Sequence, residues 1–321
     1  MAIEPASGPG APPASSPVAR LDRDPLRYAY DPAVPPRLEV HPGSEVVVET
    51  HDARAGRLDD RAPGTLFELP RPPEQGNPLT GPIAVAGARP GDAVVVTILD
   101  ISVESAGWAG GHAHVNPLAP GRVPRPLGRR VAIDGQLVRF SDRFTLPLRP
   151  MIGCLGTAPS PAEGIGPPSS GAVGRYGGNM DQPVVGIGAV VHLPVAVAGA
   201  LLYVGDVHAC QGDGELSGVG LEIAATVRLR IDLVAGASPA WPWVSFDDRL
   251  AVLVADEDFT VARREACEAM VTALERSFGL EPAEAMALLS VAGDMRMGQT
   301  MGRGPMTLRL EVPGWPGLVP A

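Results

Sequence analysis

The sequence predicts a mainly β protein, with a β-sandwich or barrel-like body and a smaller C-terminal α+β subdomain. The chain contains 39 glycines and 36 prolines but few aromatic residues, which favours short strands and turns over a helical bundle. Leu221–Leu233 alternates apolar and polar side chains, as a half-buried antiparallel strand does. Phe259–Phe278 instead repeats its apolar side chains at helical spacing.

Three regions follow from these patterns. Residues 1–25 are rich in Pro, Ala and Ser and lack the apolar segment of a signal peptide, so we expect a disordered tail. Residues 26–235 form the predicted β-rich body. Residues 236–321 form the predicted α+β subdomain that completes the fold.

Strand signals begin soon after the tail. Leu38–Thr50 is the first, and its apolar centre is a run of three valines. A Pro-Gly-Asp turn leads into Ala93–Ile101, which is rich in Val and Ile. Val131–Phe140 predicts a hairpin with Asp134 and Gly135 at its turn.

The segment Pro183–Gly205 is long and apolar enough to suggest a membrane span. However, Pro194 lies at its middle, and Asp181 and Asp206 flank it without a basic neighbour. Two buried strands joined near Pro194 explain the pattern better. We therefore predict no membrane partner.

Two helices are predicted near the C-terminus. Phe259–Phe278 has a continuous apolar face, and Gly279 is well placed to end it. Pro282 suits the first position of a second helix that continues to Ala292, with Gly293 beyond its end.

Charge and composition exclude several kinds of function. The formal net charge of −10 argues against nucleic acid as a partner. All 26 basic residues are arginine, so catalysis by a lysine Schiff base or a Walker lysine is excluded. Three widely spaced cysteines predict neither a disulfide framework nor a zinc finger, and they favour a reducing, cytoplasmic location.

The stretch around which the chain is organised is Gly205–Gly218, between two apolar segments. It carries Asp206, His208, Asp213 and Glu215, more polar chemistry than a turn requires. Residues at i and i+2 of a strand share a face, so the first two can converge on one ligand. Mixed histidine and carboxylate ligands suit zinc, whereas an all-oxygen subset would suit calcium.

Weaker candidates lie elsewhere in the chain. Asp52 follows the end of a predicted strand, and Asp181 follows a Gly-Gly-Asn-Met run that allows tight folding. His112 and His114 have the spacing of a zinc pair but lack a third ligand nearby in the sequence. Cys154 and Cys210 lack the environment of a reactive thiol, and we interpret them as small buried residues.

An ordered set of motifs resembles the acetamidase/formamidase family over residues 35–312. The more specific motifs are Gly-Gly-Asn-Met-Asp at 177–181 and Gln-Gly-Asp-Gly-Glu at 211–215. Supporting motifs include Glu-Thr-His-Asp at 49–52 and Asn-Pro-Leu-Thr-Gly-Pro-Ile at 77–83.

The resemblance implies hydrolysis of a small carboxamide to a carboxylate and ammonia. It also implies a mainly β body, a small α/β subdomain and a homo-oligomer. The residues that match the polar motifs of the family are Asp52, Asp181, Asp206, His208, Asp213, Glu215 and Glu222. The absence of lysine agrees with this family, because two other classes of amidase depend on a catalytic lysine.

We therefore hypothesise metal-assisted amide hydrolysis in the 26–235 body. The candidate ligands of a divalent ion, zinc in preference to calcium, are His208 together with Asp52, Asp181, Asp206 and Asp213. The candidate catalytic residues are Glu215, His208, Asp213 and Glu222, and Glu215 is preferred for moving the proton from water to the departing amine.

Two alternatives from other classes remain at this point. The protein could be a non-catalytic β-sandwich binding module in which Gln211–Glu215 is a structural calcium loop. It could also be a family member that acts on another acyl bond.

Overall fold

The computed structural model describes residues 18–68, 76–111, 118, 121–123, 125–161, 166–300 and 304–321. Within these ranges the chain forms twenty strands and two helices. The strands are β1 (Ala19–Leu21), β2 (Leu38–Val40), β3 (Ser44–Thr50), β4 (Leu66–Glu68), β5 (Leu79–Val85), β6 (Ala93–Val103), β7 (Ala106–Gly111), β8 (Leu127–Asp134), β9 (Leu137–Ser141), β10 (Phe144–Pro147), β11 (Met151–Thr157), β12 (Val173–Gly174), β13 (Gly177–Asn179), β14 (Val190–Pro194), β15 (Leu202–His208), β16 (Ala225–Val234), β17 (Trp243–Phe246), β18 (Arg249–Asp256), β19 (Asp294–Met297) and β20 (Met306–Pro313). The helices are α1 (Phe259–Phe278) and α2 (Pro282–Ala292).

A nine-stranded sheet runs through most of the protein in the order β1-β3-β16-β6-β14-β17-β18-β20-β19. Its pairs are antiparallel except for β1 with β3. The sheet contains strands from both sides of residue 235. The division into a body and a subdomain at that residue therefore stays a prediction.

A six-stranded sheet in the order β12-β13-β11-β15-β5-β2 shares an apolar core with the nine-stranded sheet. Val46 and Val96 contribute to this core from the larger sheet, and Ile83, Leu155 and Val204 contribute from the smaller one. β15 has a buried residue at every position, as expected for a strand covered on both faces. A five-stranded sheet formed by β4, β7, β8, β9 and β10 completes the mainly β architecture.

The helical prediction is confirmed to the residue. Asp258 caps α1 by accepting a hydrogen bond from the backbone N–H of Thr260 at 2.7 Å, and Gly279 ends the helix at φ 69°. α2 begins at Pro282 and ends before Gly293. α1 packs on β18 and β20, and α2 packs on α1 and β20, over a second apolar core.

The strand predictions are confirmed in outline. β16 lies between β3 and β6 with its alternate apolar residues from Ala225 to Ile231 buried, and β8 and β9 form the predicted hairpin around Gly135. The Pro183–Gly205 segment forms two strands, β14 and the beginning of β15, which belong to different sheets. Among the described residues, no helix is both long and apolar enough to span a bilayer.

Two boundaries differ from the sequence prediction. Ala19–Leu21 pairs in parallel with β3, so residues 19–21 of the predicted 1–25 tail are ordered strand. Leu38–Thr50 is broken at residues 41–43, where Gly43 adopts φ 86° in a turn. Its two halves, β2 and β3, belong to different sheets.

Candidate active site

The candidate site lies where β15 ends inside the protein. Asp206 and His208 are on this strand, and Glu222 forms an isolated bridge with His208 on one side and with Trp108 of β7 on the other. Asp181 follows β13, which pairs with β11 beside β15. Sheet pairing therefore brings together acids that are far apart in the sequence.

Three of these acidic residues have an unusual backbone conformation. Asp181, Asp206 and Glu215 have φ values of 45°, 55° and 41°, in the left-handed region that non-glycine residues rarely adopt. Such a conformation costs roughly 1–2 kcal/mol per residue, and it recurs at functional sites, where the surrounding structure enforces it. The backbone here directs carboxylates inward at a cost in stability.

The side chains form a buried cluster around one imidazole. His208 Nε2 lies 3.2 Å from Glu222 Oε1 and 3.5 Å from Asp206 Oδ1. Ligand-type atoms of Asp181, Asp206 and His208 lie within 4.8 Å of one another, and the same holds for His208, Glu215 and Glu222. All five residues are more than 90% buried.

Side-chain amides orient two of the carboxylates. Asn77 Nδ2 donates to Asp206 Oδ2 at 2.6 Å and to Asn179 Oδ1 at 2.9 Å. Asn179 Nδ2 in turn donates to Asp181 Oδ2 at 2.6 Å. Each carboxylate therefore has one oxygen held by an amide, and its other oxygen faces the cluster.

Gln211 determines which nitrogen of His208 carries the proton. Gln211 Nε2 donates to the backbone oxygens of Asp181 and Gly298 at 2.8 and 3.2 Å, so its Oε1 is the acceptor for His208 Nδ1 at 2.7 Å. The hydrogen-bond network thus places a proton on Nδ1. In the neutral ring, Nε2 then offers its lone pair to the cluster.

Four buried atoms of the cluster have no hydrogen-bond partner among the residues that the structure describes. They are Asp181 Oδ1, Asp206 Oδ1, His208 Nε2 and Glu222 Oε2. Buried polar atoms are nearly always paired, so four orphans in one place indicate a missing ligand. Three carboxylate oxygens and an imidazole nitrogen are a donor set that fits zinc or a similar divalent ion. A histidine that binds a metal usually donates its other ring N–H to a nearby acceptor, as His208 does to Gln211.

The cluster strongly perturbs the acidity of its members. Burial, reinforced by the charge of Asp206, raises the pKa of Asp181 to about 8. Burial raises the pKa of Glu222 to about 7, and burial with the charge of Asp181 raises that of Glu215 well above its usual range. Burial lowers the pKa of His208, but the carboxylates of Glu222 and Asp206 outweigh it and hold that pKa well above its ordinary value. Perturbed acids that share a pocket are typical of active sites.

A cavity of about 210 Å³ lies against the cluster. Asp181, Asp206, Glu215 and Glu222 line it on the acidic side. This volume is below the roughly 300–1,000 Å³ typical of sites for drug-sized ligands, so the cavity suits a small molecule.

Two of the predicted metal ligands lie apart from the cluster. Asp52 is buried, but its carboxylate accepts the backbone N–H groups of Arg54 at 2.6 Å and Gly56 at 3.1 Å. Asp213 accepts two hydrogen bonds from the guanidinium of Arg309, at 2.7 and 2.9 Å. The metal-binding roles of Asp52 and Asp213, and the catalytic role of Asp213, stay predictions from the sequence. In this arrangement their carboxylates are engaged by other donors and lie outside the groups formed by Asp181, Asp206, His208, Glu215 and Glu222.

Cys154 is buried as predicted, whereas Cys210 is only half-buried. The Cys154 thiol donates to Asn179 Oδ1 at 3.0 Å, and burial together with nearby Asp206 raises its pKa well above the usual value. Burial also raises the pKa of Cys210. Neither environment stabilises a thiolate. His112 and His114 lie outside the described residues.

Several site residues were missed by reasoning from the sequence. Asn77, Asn179 and Gln211 belong to the family-like motifs, but amides carry no charge that singles them out. Arg54 and Trp108 line the cavity and had no motif signal at all.

Comparisons with known proteins all point to the same family. The model of the Acetamidase/Formamidase family matches residues 17–162 and 170–313. An acetamidase of Mycolicibacterium smegmatis is 26% identical over 269 residues, which cover 64% of this chain. The chain spans 65% of the length of that relative.

Solved structures are similar over nearly the whole chain. A predicted acetamidase/formamidase from the thermophile Thermoanaerobacter tengcongensis is 31% identical, with a TM-score of 0.84 over 92% of this chain and 96% of that one. An acetamidase from Bacillus halodurans is 32% identical, with a TM-score of 0.80 over 92% and 97% of the two chains.

Proposed function

Because the chain belongs to the acetamidase/formamidase family, we propose that it hydrolyses the carbon–nitrogen bond of a small linear amide. Water adds its oxygen to the carbonyl carbon, the carbon–nitrogen bond breaks, and one proton from water passes to the departing nitrogen, which leaves as ammonia. The carboxylic acid formed then releases the second proton, so the products at neutral pH are a carboxylate and ammonium. The small cavity beside the acidic cluster supports a substrate of the size of formamide or acetamide.

The observation that carries the metal-binding part of the proposal is a set of four buried atoms without a hydrogen-bond partner among the described residues, on side chains of two groups that share His208. Asp181 Oδ1, Asp206 Oδ1 and His208 Nε2 would hold a divalent ion, zinc in preference to calcium, with Glu222 Oε2 as a further ligand. Bound there, such an ion supplies a positive charge that polarises the amide carbonyl and lowers the pKa of water.

The side chains of the protein supply the proton transfer. Glu215 lines the cavity next to His208 and Glu222, and we assign it the transfer of a proton from water to the amide nitrogen. Its raised pKa suits this role, because a carboxylate of ordinary acidity is too weak a base at neutral pH. Glu222 contacts His208 and accepts the N–H of Gly220 at 3.2 Å, which fixes its position.

Substrate positioning and water exclusion come from the cavity wall. Asn77 and Asn179 hold Asp206 and Asp181 in fixed orientations, so the charged groups need not rearrange during the reaction. Trp108 is 1% exposed and closes one side of the cavity. A homo-oligomer and a cytoplasmic location stay predictions from the sequence.

The test is ammonia release from formamide, acetamide and propionamide by purified protein, before and after chelation and with Zn²⁺, Mn²⁺ or Ca²⁺ added back. We expect chelation to abolish turnover and one ion to restore it. Asp181→Asn should lose both activity and metal binding, whereas Asp213→Asn changes a carboxylate apart from the cluster and should keep metal binding.

Two results would contradict the proposal. Full activity in protein shown to be metal-free would leave a direct carboxylate–histidine mechanism. No turnover of any amide, together with a loss of stability on chelation, would favour a binding module with a structural ion.

A further inference from the structure

Arg54 is a buried cation in the wall of the candidate active site. Its side chain lines the cavity together with Glu215 and Glu222, yet the residue is 9% exposed. It is the one basic side chain among the described residues that line this cavity. Nothing in the reaction scheme above uses it.

Asp52 fixes the position of Arg54 in two ways. Asp52 Oδ1 accepts the backbone N–H of Arg54 at 2.6 Å and the indole N–H of Trp108 at 3.3 Å. The Arg54 guanidinium lies over the Trp108 ring, 5.4 Å from its centroid. Asp52 thus holds an arginine and the aromatic surface on which it stacks.

The Arg54 guanidinium has no carboxylate within ion-pair distance among the described residues, although the charges of Glu222 and Asp52 act on it at longer range. Its Nε is buried without a hydrogen-bond partner among those residues. A buried N–H that has lost water without gaining an acceptor is unfavourable. A group of this kind in a cavity wall indicates that an anionic group of the ligand completes it.

The wall next to Arg54 is apolar. Ala53 and Trp108 are buried in one cluster, with Val219 packed against it, and all three residues line the cavity. The methylene groups of a substrate would pack favourably against this apolar wall. The cavity of about 210 Å³ leaves room for only a short chain between the acidic cluster and Arg54.

We propose that Arg54 is a substrate-binding residue that selects amides carrying a carboxylate, separated from the amide by a short methylene chain. The amide then lies at the acidic cluster, the methylene groups lie against Trp108, and the carboxylate receives paired N–H donors from Arg54. The inference rests on the proposed amide hydrolysis and names its substrate class.

The test compares succinamate with succinamide, its uncharged counterpart of the same shape, in metal-loaded protein. Wild type should turn over succinamate with a kcat/KM about 10–100-fold higher than succinamide, as expected for a charge-assisted hydrogen-bonded pair. Arg54→Met should remove this preference through a higher KM for succinamate while its kcat is little changed. Arg54→Lys should restore part of the preference, because lysine keeps the charge but lacks the paired donors.

Arg230→Met is the matched control, because Arg230 lies on the surface of β16 and pairs with Asp232. It should keep the wild-type preference. Equal use of the two substrates by active wild-type protein would overturn the inference and leave amide hydrolysis intact. A uniform loss for both substrates in Arg54→Met would also overturn it, since Arg54 would then act on the reacting carbonyl or on the fold. No turnover of any amide would remove the proposed function, and the inference with it.

Discussion

Gly153 provides the sharpest test of the site geometry. A Cβ added at this position would lie 2.6 Å from Asp181 Oδ1, 2.9 Å from Asp206 Oδ2 and 2.8 Å from the backbone oxygen of Asp206. Carbon–oxygen contacts of this kind are comfortable at about 3.4 Å and beyond, so Gly153→Ala requires displacements of about 0.5–0.8 Å. All three atoms belong to the proposed ligands Asp181 and Asp206, and two of them are carboxylate oxygens.

The size of the effect follows from this displacement. Overpacking a buried site typically costs about 1–3 kcal/mol of the free energy of unfolding. A misplacement near 1 Å at reacting groups costs about 10²-fold in rate. We therefore expect Gly153→Ala to remain folded, to bind zinc more weakly and to lose about 10²-fold in kcat/KM for acetamide.

The assay is ammonia release combined with zinc titration against a competing chelator, at a temperature below the melting point of the variant. Gly166→Ala is the control, because a Cβ there meets no atom of the described residues within 4 Å. If Gly153→Ala binds zinc and turns over acetamide as Gly166→Ala does, the assignment of Asp181 and Asp206 as ligands is refuted.

Three further predictions concern the amide network, pH and helix capping. Asn77→Ala should weaken zinc binding by about 10–100-fold, because Asp206 loses the donor that orients it; chelator competition measures this, and unchanged affinity would contradict it. In metal-free protein the pKa values of about 8 for Asp181 and about 7 for Glu222 exceed the ordinary 3.8 and 4.5, so the folded state holds protons that the unfolded state releases. The free energy of unfolding should therefore fall as pH rises from about 4 to about 8, and it should fall less steeply in Asp181→Asn. Urea unfolding at several pH values measures this, and an equal fall in the two proteins would contradict the prediction. Asp258→Ala should cost about 0.5–2 kcal/mol of stability in urea while leaving zinc affinity unchanged, since it removes only the cap of α1.

Local patterns in the sequence were sufficient for much of the fold. The two helices were predicted with their true bounds, because apolar spacing, Gly279 and Pro282 act through neighbours one turn away. The alternation in β16 likewise predicted which of its faces is buried. The break inside Leu38–Thr50 was missed because both halves have high β propensity. Which sheet each half joins depends on contacts with strands far away in the sequence.

The sequence alone excluded lysine, which the chain lacks, and predicted that the Gly205–Gly218 stretch carries the chemistry and that Asp206 and His208 lie together, as they do in the structure. Only the tertiary structure decided which other acids join them. Asp213 is close to His208 in sequence, but Arg309, 96 residues later, takes both of its oxygens. Glu222 joins the site because bridge pairing places it against His208, and Asp181 joins because β13 pairs beside β11. Strand register and long-range ion pairing determine which carboxylates remain free, and neither is encoded in the spacing of residues along the chain.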